Sequence, residues 1–203
     1  MKIICVGRNY ADHAKELKNE IPAEPVLFIK PKNALLQNGH PFYYPEFTSN
    51  LHYECELVLK VSKNGKHIQE KFADKYYDEI SVGIDFTARD LQEKQKAKGL
   101  PWEIAKAFDN SAVVGNFMPI TPDMDKKDIN FCLYRNRALA QSGNTQDLLF
   151  SFDFLVAYIS RFFTLNIGDL IFTGTPAGVG PSEIGDKFEA FIENDSLLEF
   201  EVK

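Results

Sequence analysis

Residues 53–61 read Tyr53-Glu54-Cys55-Glu56-Leu57-Val58-Leu59-Lys60-Val61, with Cys55, Leu57, Leu59 and Val61 on one side and both glutamates on the other. A period of two marks a strand with one face buried, and Asn64-Gly65 supplies a hairpin turn after it. Glu54 and Glu56 then leave the same face of a half-buried strand. Two like charges side by side repel, which raises a pKa or calls for a cation between them. A hard divalent ion meets that need, since Mg²⁺ favours oxygen ligands and leaves coordination sites to water or substrate. Taken alone, Glu-x-Glu is more often a solvated face.

Downstream, Ile80 to Phe86 forms a second apolar strand that carries Asp85 at its end. An acid there is unfavourable unless it is paired or coordinated. Capping of the helix that follows, Thr87 to Lys98, is the plainer role for Asp85; Gly99 and Pro101 stop that helix. Upstream, Ile3 to Val6 is a short strand ended by Gly7. From Asn9, a plausible N-cap, Ala11, Ala14 and Leu17 recur at helical spacing. Pro25 to Lys30 reads as a buried strand closed by Pro31. Further runs of strand type are Ile129–Tyr134, Leu170–Thr173, Lys187–Ile192 and Leu197–Val202, with one longer helix from Ser151 to Phe163. Strands dominate and helices are few and short, so a β-rich α+β fold is expected, in one domain over residues 1–203.

The 17 Phe and 8 Tyr among 203 residues are ample for a core. A net charge of −6 argues against nucleic acid as a partner, because phosphate binding needs a surplus of Lys and Arg on one face. No apolar run reaches the roughly 18 residues of a membrane span. Cys5, Cys55 and Cys132 are too few and too widely spaced for a disulfide framework or a zinc ribbon. The N-terminus lacks the apolar core and cleavage site of a signal peptide, so a cytoplasmic location is expected.

Six blocks in order resemble the fumarylacetoacetate hydrolase superfamily, in particular its short members similar to acylpyruvate hydrolases and oxaloacetate decarboxylases. They are Gly7–His13, Pro25–Pro31, Tyr53–Leu57, Asp85–Gln92, Lys98–Lys106 and Thr173–Gly180. The resemblance implies a mixed β-roll or barrel-like core of that family's C-terminal domain type, usually in a homodimer. The extra N-terminal domain of longer members is expected to be absent. Glu54, Glu56 and Asp85 become the implied ligands of Mg²⁺ or Mn²⁺. His13 and Glu16, three apart on a helical segment, can share a face and hydrogen-bond. The family places such a pair on a lid over the substrate, where an imidazole oriented by a carboxylate acts as general base. Lys106 is implied to point into the site and steady an oxyanion or the substrate carboxylate. Arg8 and Lys30 match positions near the site mouth, Gln92 orients substrate or water, and Thr175 with nearby amides holds the substrate carboxylate. Arg89 and Asp90 are expected to form a pair behind Asp85.

A 2-oxo acid can chelate a hard cation through its carboxylate and 2-oxo oxygen, and the cation stabilises charge on that oxygen. The implied partner is therefore a small anionic oxo-acid. The leading expectation is a hydrolase that splits acylpyruvate-like 2,4-dioxo acids and also decarboxylates oxaloacetate. An isomerase or hydratase of 2-hydroxyhepta-2,4-diene-1,7-dioate type is the alternative, disfavoured because tautomerisation needs no water-activating pair. A non-catalytic metal-binding protein would have no need of His13. Arg135-Asn136-Arg137 and Asp147-Leu148 depart from the family's usual residues, which leaves the acyl preference open.

Overall fold

In the computed structural model, which describes residues 1–16 and 20–203, the strand around Cys55 spans Cys55–Val61 and is buried on both faces. In chain order the strands are β1 (Ile3–Gly7), β2 (Val26–Lys30), β3 (Leu35–Gln37), β4 (Leu51–Tyr53), β5 (Cys55–Val61), β6 (Tyr77–Asp85), β7 (Thr87–Ala88) and β8 (Ala112–Val114). Then come β9 (Met118–Pro119), β10 (Asn130–Arg135), β11 (Ala138–Asn144), β12 (Leu170–Phe172), β13 (Gly180–Pro181), β14 (Lys187–Ile192) and β15 (Asp195–Glu201). The α-helices are α1 (Ala11–Glu16), α2 (Arg89–Lys98), α3 (Glu103–Lys106) and α4 (Phe152–Phe162). The expected β-rich fold with few helices is the fold observed.

A mixed eight-stranded sheet runs in the order β2-β1-β12-β5-β6-β8-β3, with β9 attached to β6. Its β5 lies at the centre. Cys55, Leu57, Leu59 and Val61 face the larger core, while Val58 on the other face packs with Ile3, Cys5 and Phe172 in a second cluster. That second cluster is why the half-buried strand read from the alternation is instead closed on both sides. The antiparallel sheet β11-β10-β14-β15 covers the larger core. Phe188 and Phe200 of that sheet stack at 5.3 Å, and Phe188 meets Phe86 edge-on at 6.4 Å. A small third sheet runs in the order β13-β4-β7.

Several local expectations are corrected. Asn64-Gly65 is no two-residue hairpin: residues 62–76 intervene between β5 and β6, closed by the Ser62 amide donating to Tyr76 O at 2.9 Å. Asn64 instead accepts from the Ile167 amide. The Asn9 side chain does not cap α1; it donates to Phe150 O and Thr173 O and accepts from the Phe150 amide, tying three segments together. Leu17, part of that helical spacing, lies outside the described residues. β2 is an edge strand, half-buried, paired to β1 alone. α2 begins at Arg89 and ends with Gly99 in the left-handed conformation at φ 63°. α4 is capped by Ser151, whose hydroxyl accepts from the Phe154 amide. Among the described residues, no helix is long and apolar enough to cross a membrane.

Candidate metal centre and active site

The antiparallel pairing of β5 with β6 places Cys55 opposite Ile84 and Glu56 opposite Gly83, so Glu54 meets Asp85, whose amide donates to Glu54 O at 2.8 Å. Register thus joins residues 29 to 31 positions apart, and period two brings Glu54 and Glu56 to one face. One ligand oxygen from each of Glu54, Glu56 and Asp85 lies within 4.8 Å of the others, and all three residues are buried. Buried carboxylates need partners.

Those partners are unequal. Glu54 faces Lys106 Nζ at 2.7 Å and Arg89 Nη2. Burial opposes its ionisation, but Lys106 and Arg89 outweigh burial and hold the carboxyl well below the usual range. Asp85 lies between Lys106 Nζ at 2.8 Å and Lys30 Nζ at 2.6 Å. Glu56 accepts the Gly174 amide at 2.6 Å and has no cationic partner among the described residues. Burial first, then Asp85 and Glu54, pushes its carboxyl well above the ordinary value. A carboxylate set with one member starved of positive charge fits a hard divalent cation, and all-oxygen donors suit Mg²⁺ or Mn²⁺.

The cleft around the triad is lined by Arg8, His13, Arg89, Gln92, Lys106 and Thr175, and by Phe28, Lys96 and Trp102. His13 Nδ1 lies 3.4 Å from Glu16 Oε2, and Glu16 in turn accepts from the Gly178 amide at 3.1 Å. The glycine-rich turn therefore fixes the orienting carboxylate. At Gly178, with φ 98°, a Cβ would come within 2.7 Å of Ala140 O. Burial lowers the His13 pKa below its usual 6.5 against the opposing pull of Glu54 and Glu16, so the imidazole is neutral at physiological pH. Thr175 is buried beside the triad and accepts from Gln141 Nε2 at 2.9 Å.

Four residues lie otherwise than expected. Lys30 is not at the site mouth: it is fully buried behind Asp85, bonded to Ser111 Oγ and to Ser111 O. Lys106 does point inward, but its three ammonium protons go to Glu54, Asp85 and Thr87 Oγ1, not to an open anion position. Arg89 does not pair with Asp90. It bonds Glu54 and, at 2.7 Å, Gln92 Oε1, while Asp90 holds Thr48 and Ser49. Arg89 is thus a site residue that the sequence reading assigned to structure; an arginine one turn from Gln92 and four residues past Asp85 was the available signal. His52, two residues before Glu54, bonds Asn50 Oδ1 at 2.9 Å. Burial and then Arg89 lower its pKa to about 4. Arg135-Asn136-Arg137 forms the β10–β11 turn, with Asn136 and Arg137 at φ 53° and 69°, and lines no part of the cleft.

Over 201 residues the chain is 43% identical to the mitochondrial oxaloacetate tautomerase of Mus musculus, covering 99% of this chain and 91% of that protein. It is 40% identical over 203 residues to the mitochondrial oxaloacetate decarboxylase of Dictyostelium discoideum, covering 99% and 93%. The crystal structure of fumarylpyruvate hydrolase from Pseudomonas aeruginosa in complex with Mn²⁺ and pyruvate matches with TM-score 0.93 and 38% identity, covering 100% of this chain and 89% of that chain. Residues 2–203 match the family described as fumarylacetoacetate (FAA) hydrolase C-terminal. On that match and these relatives, the chain belongs to the fumarylacetoacetate hydrolase C-terminal family.

Proposed function

We propose that this protein is a Mg²⁺- or Mn²⁺-dependent enzyme of small 2-oxo acids, cleaving acylpyruvate-like 2,4-dioxo acids and acting on oxaloacetate at the same site. The observation that carries this reading is an imidazole, His13, within 3.4 Å of Glu16 in the same cleft as three buried, clustered carboxylates. Glu54, Glu56 and Asp85 would hold the cation, which supplies Lewis acidity toward the carboxylate and 2-oxo oxygens of a chelating acid.

The chain's own groups do the rest. Glu16 engages Nδ1 of His13, a residue lining the cleft, so Nε2 is the nitrogen assigned to the base. For a 2,4-dioxo acid, Nε2 takes a proton from water as the oxygen attacks C4. The C3–C4 bond then breaks, its electrons pass to the pyruvate fragment as the enolate, and protonation at C3 completes pyruvate and the carboxylic acid. Lys106, Arg89 and Lys30 hold Glu54 and Asp85 in place by ion pairs. Thr175 offers a hydroxyl at the cleft wall.

A second reading, tautomerisation of oxaloacetate, is favoured by the 43% identity to the mouse enzyme of that name. A neutral base can move a proton between C3 and the 2-oxo oxygen as readily as from water. The His13–Glu16 pair therefore does not disfavour tautomerisation, contrary to the sequence-based expectation.

With added Mg²⁺, the protein is expected to release pyruvate from acetylpyruvate and to convert oxaloacetate, and a chelator removes both activities. His13→Gln should lower acetylpyruvate hydrolysis by about 10²–10⁴-fold, the usual share of a general base. The acidic limb of the wild-type pH–rate profile should lie below 6.5, because His13 must be deprotonated and its pKa is lowered. An unchanged rate in His13→Gln, or an acidic limb above 6.5, contradicts this assignment.

A further inference from the structure

The cleft holds more positive charge than its carboxylates use. Arg89 and Lys106 are paired with Glu54 and Asp85. Arg8 and Lys96 line the same cleft and have no carboxylate partner among the described residues. Neither is placed by accident of a loose surface chain. Arg8 sits in the left-handed region at φ 61°, directly after β1. Lys96 leaves the last turn of α2 half-buried, with its ammonium 5.6 Å above the Trp102 ring. Both side chains line the one cleft, and burial, then the charges of Arg8 and Arg89, lowers the Lys96 pKa. Like charges held together without a counter-ion mark an anion site.

We propose that Arg8 and Lys96 form a subsite for a second carboxylate, so the preferred substrates are dicarboxylic 2-oxo acids and not acylpyruvates with a neutral tail. This rests on the oxo-acid reading above and narrows it. The substrate's 2-oxo acid end lies at the triad, and its distal carboxylate lies toward α2, between the guanidinium and the ammonium. The competing role for Lys96 is a solvated lysine whose stem merely covers Trp102.

Lys96→Met keeps that stem and removes the charge. It is expected to lower kcat/KM for dianionic oxaloacetate at least about tenfold, the scale of one lost charge-assisted contact. Acetylpyruvate, a monoanion, should change less than about twofold, and Lys96→Arg should restore oxaloacetate turnover. Binding gives an independent readout, because Trp102 is the chain's single tryptophan. Titrated by its emission, wild-type protein should bind malate more tightly than lactate, and Lys96→Met should bind the two alike. Equal losses on both substrates, no loss on either, or equal malate and lactate binding in the wild type would overturn the subsite. Should the wild type turn over neither oxo-acid yet bind malate preferentially through Lys96, the enzymatic reading fails and the subsite stands.

Discussion

Lys106→Met is expected to lower the melting temperature of the metal-free protein by roughly 6–12 °C, and added Mg²⁺ should recover more stability in the variant than in the wild type. Lys106 is buried, with all three ammonium protons donated to Glu54, Asp85 and Thr87. Burial disfavours its charge, yet Asp85 and Glu54 hold the ammonium protonated above the ordinary lysine range. Removing one partner of a buried ion pair costs about 3–5 kcal/mol, because the other charge is left without compensation. The low end applies here, since Arg89 still reaches Glu54 and Lys30 still reaches Asp85. At about 2–4 °C per kcal/mol for a chain of this size, about 3 kcal/mol gives the stated shift. A divalent cation then replaces the missing charge. Melting curves with and without Mg²⁺ check both halves, and an unchanged metal-free melting temperature would remove Lys106 from the network.

Glu56→Gln should have the opposite signature: a metal-free protein at least as stable as the wild type, joined to a loss of cation binding and about 10³-fold lower kcat/KM. Glutamine keeps the shape and an oxygen to accept the Gly174 amide. It also removes a charge that burial, Asp85 and Glu54 all oppose. A gain of about 1 kcal/mol raises the melting temperature by about 2–4 °C. The pH dependence has a defined sign. The unfolded carboxyl titrates near 4.3 and the folded one above that, so the folded state holds the extra proton between these values. Metal-free wild-type protein therefore loses stability as pH rises through that window, and Glu56→Gln lacks this slope. Binding of a cation at the site in Glu56→Gln with wild-type affinity would exclude Glu56 as a ligand.

The sequence carried what is local. Alternation from Tyr53 to Val61 sets both glutamates on one face, and an acid at the end of an apolar strand marks Asp85 as unusual. The helix stop at Gly99 is likewise short-range chemistry. What depended on packing was not legible. Val58 faces a second core built from β1 and β12, so the half-buried reading of β5 failed. Lys30 follows four apolar residues on an edge strand, and only the neighbouring position of Ser111 and Asp85 shows that it is a buried brace. The Arg89 guanidinium turns to Glu54, 35 positions upstream, and away from adjacent Asp90. Lys96 and Trp102 face the cleft because α2 and the following turn fold over it, a contact with no short-range signal.

The central claim is that Glu54, Glu56 and Asp85 converge on one hard cation. Anomalous scattering from a crystal soaked in Mn²⁺ tests it most directly. The account predicts one strong Mn²⁺ peak in contact with carboxylate oxygens of all three residues, at about the 2.0–2.2 Å typical of such ligands. A peak elsewhere in the molecule, with these three carboxylates contacting only lysine, arginine and solvent, would contradict it.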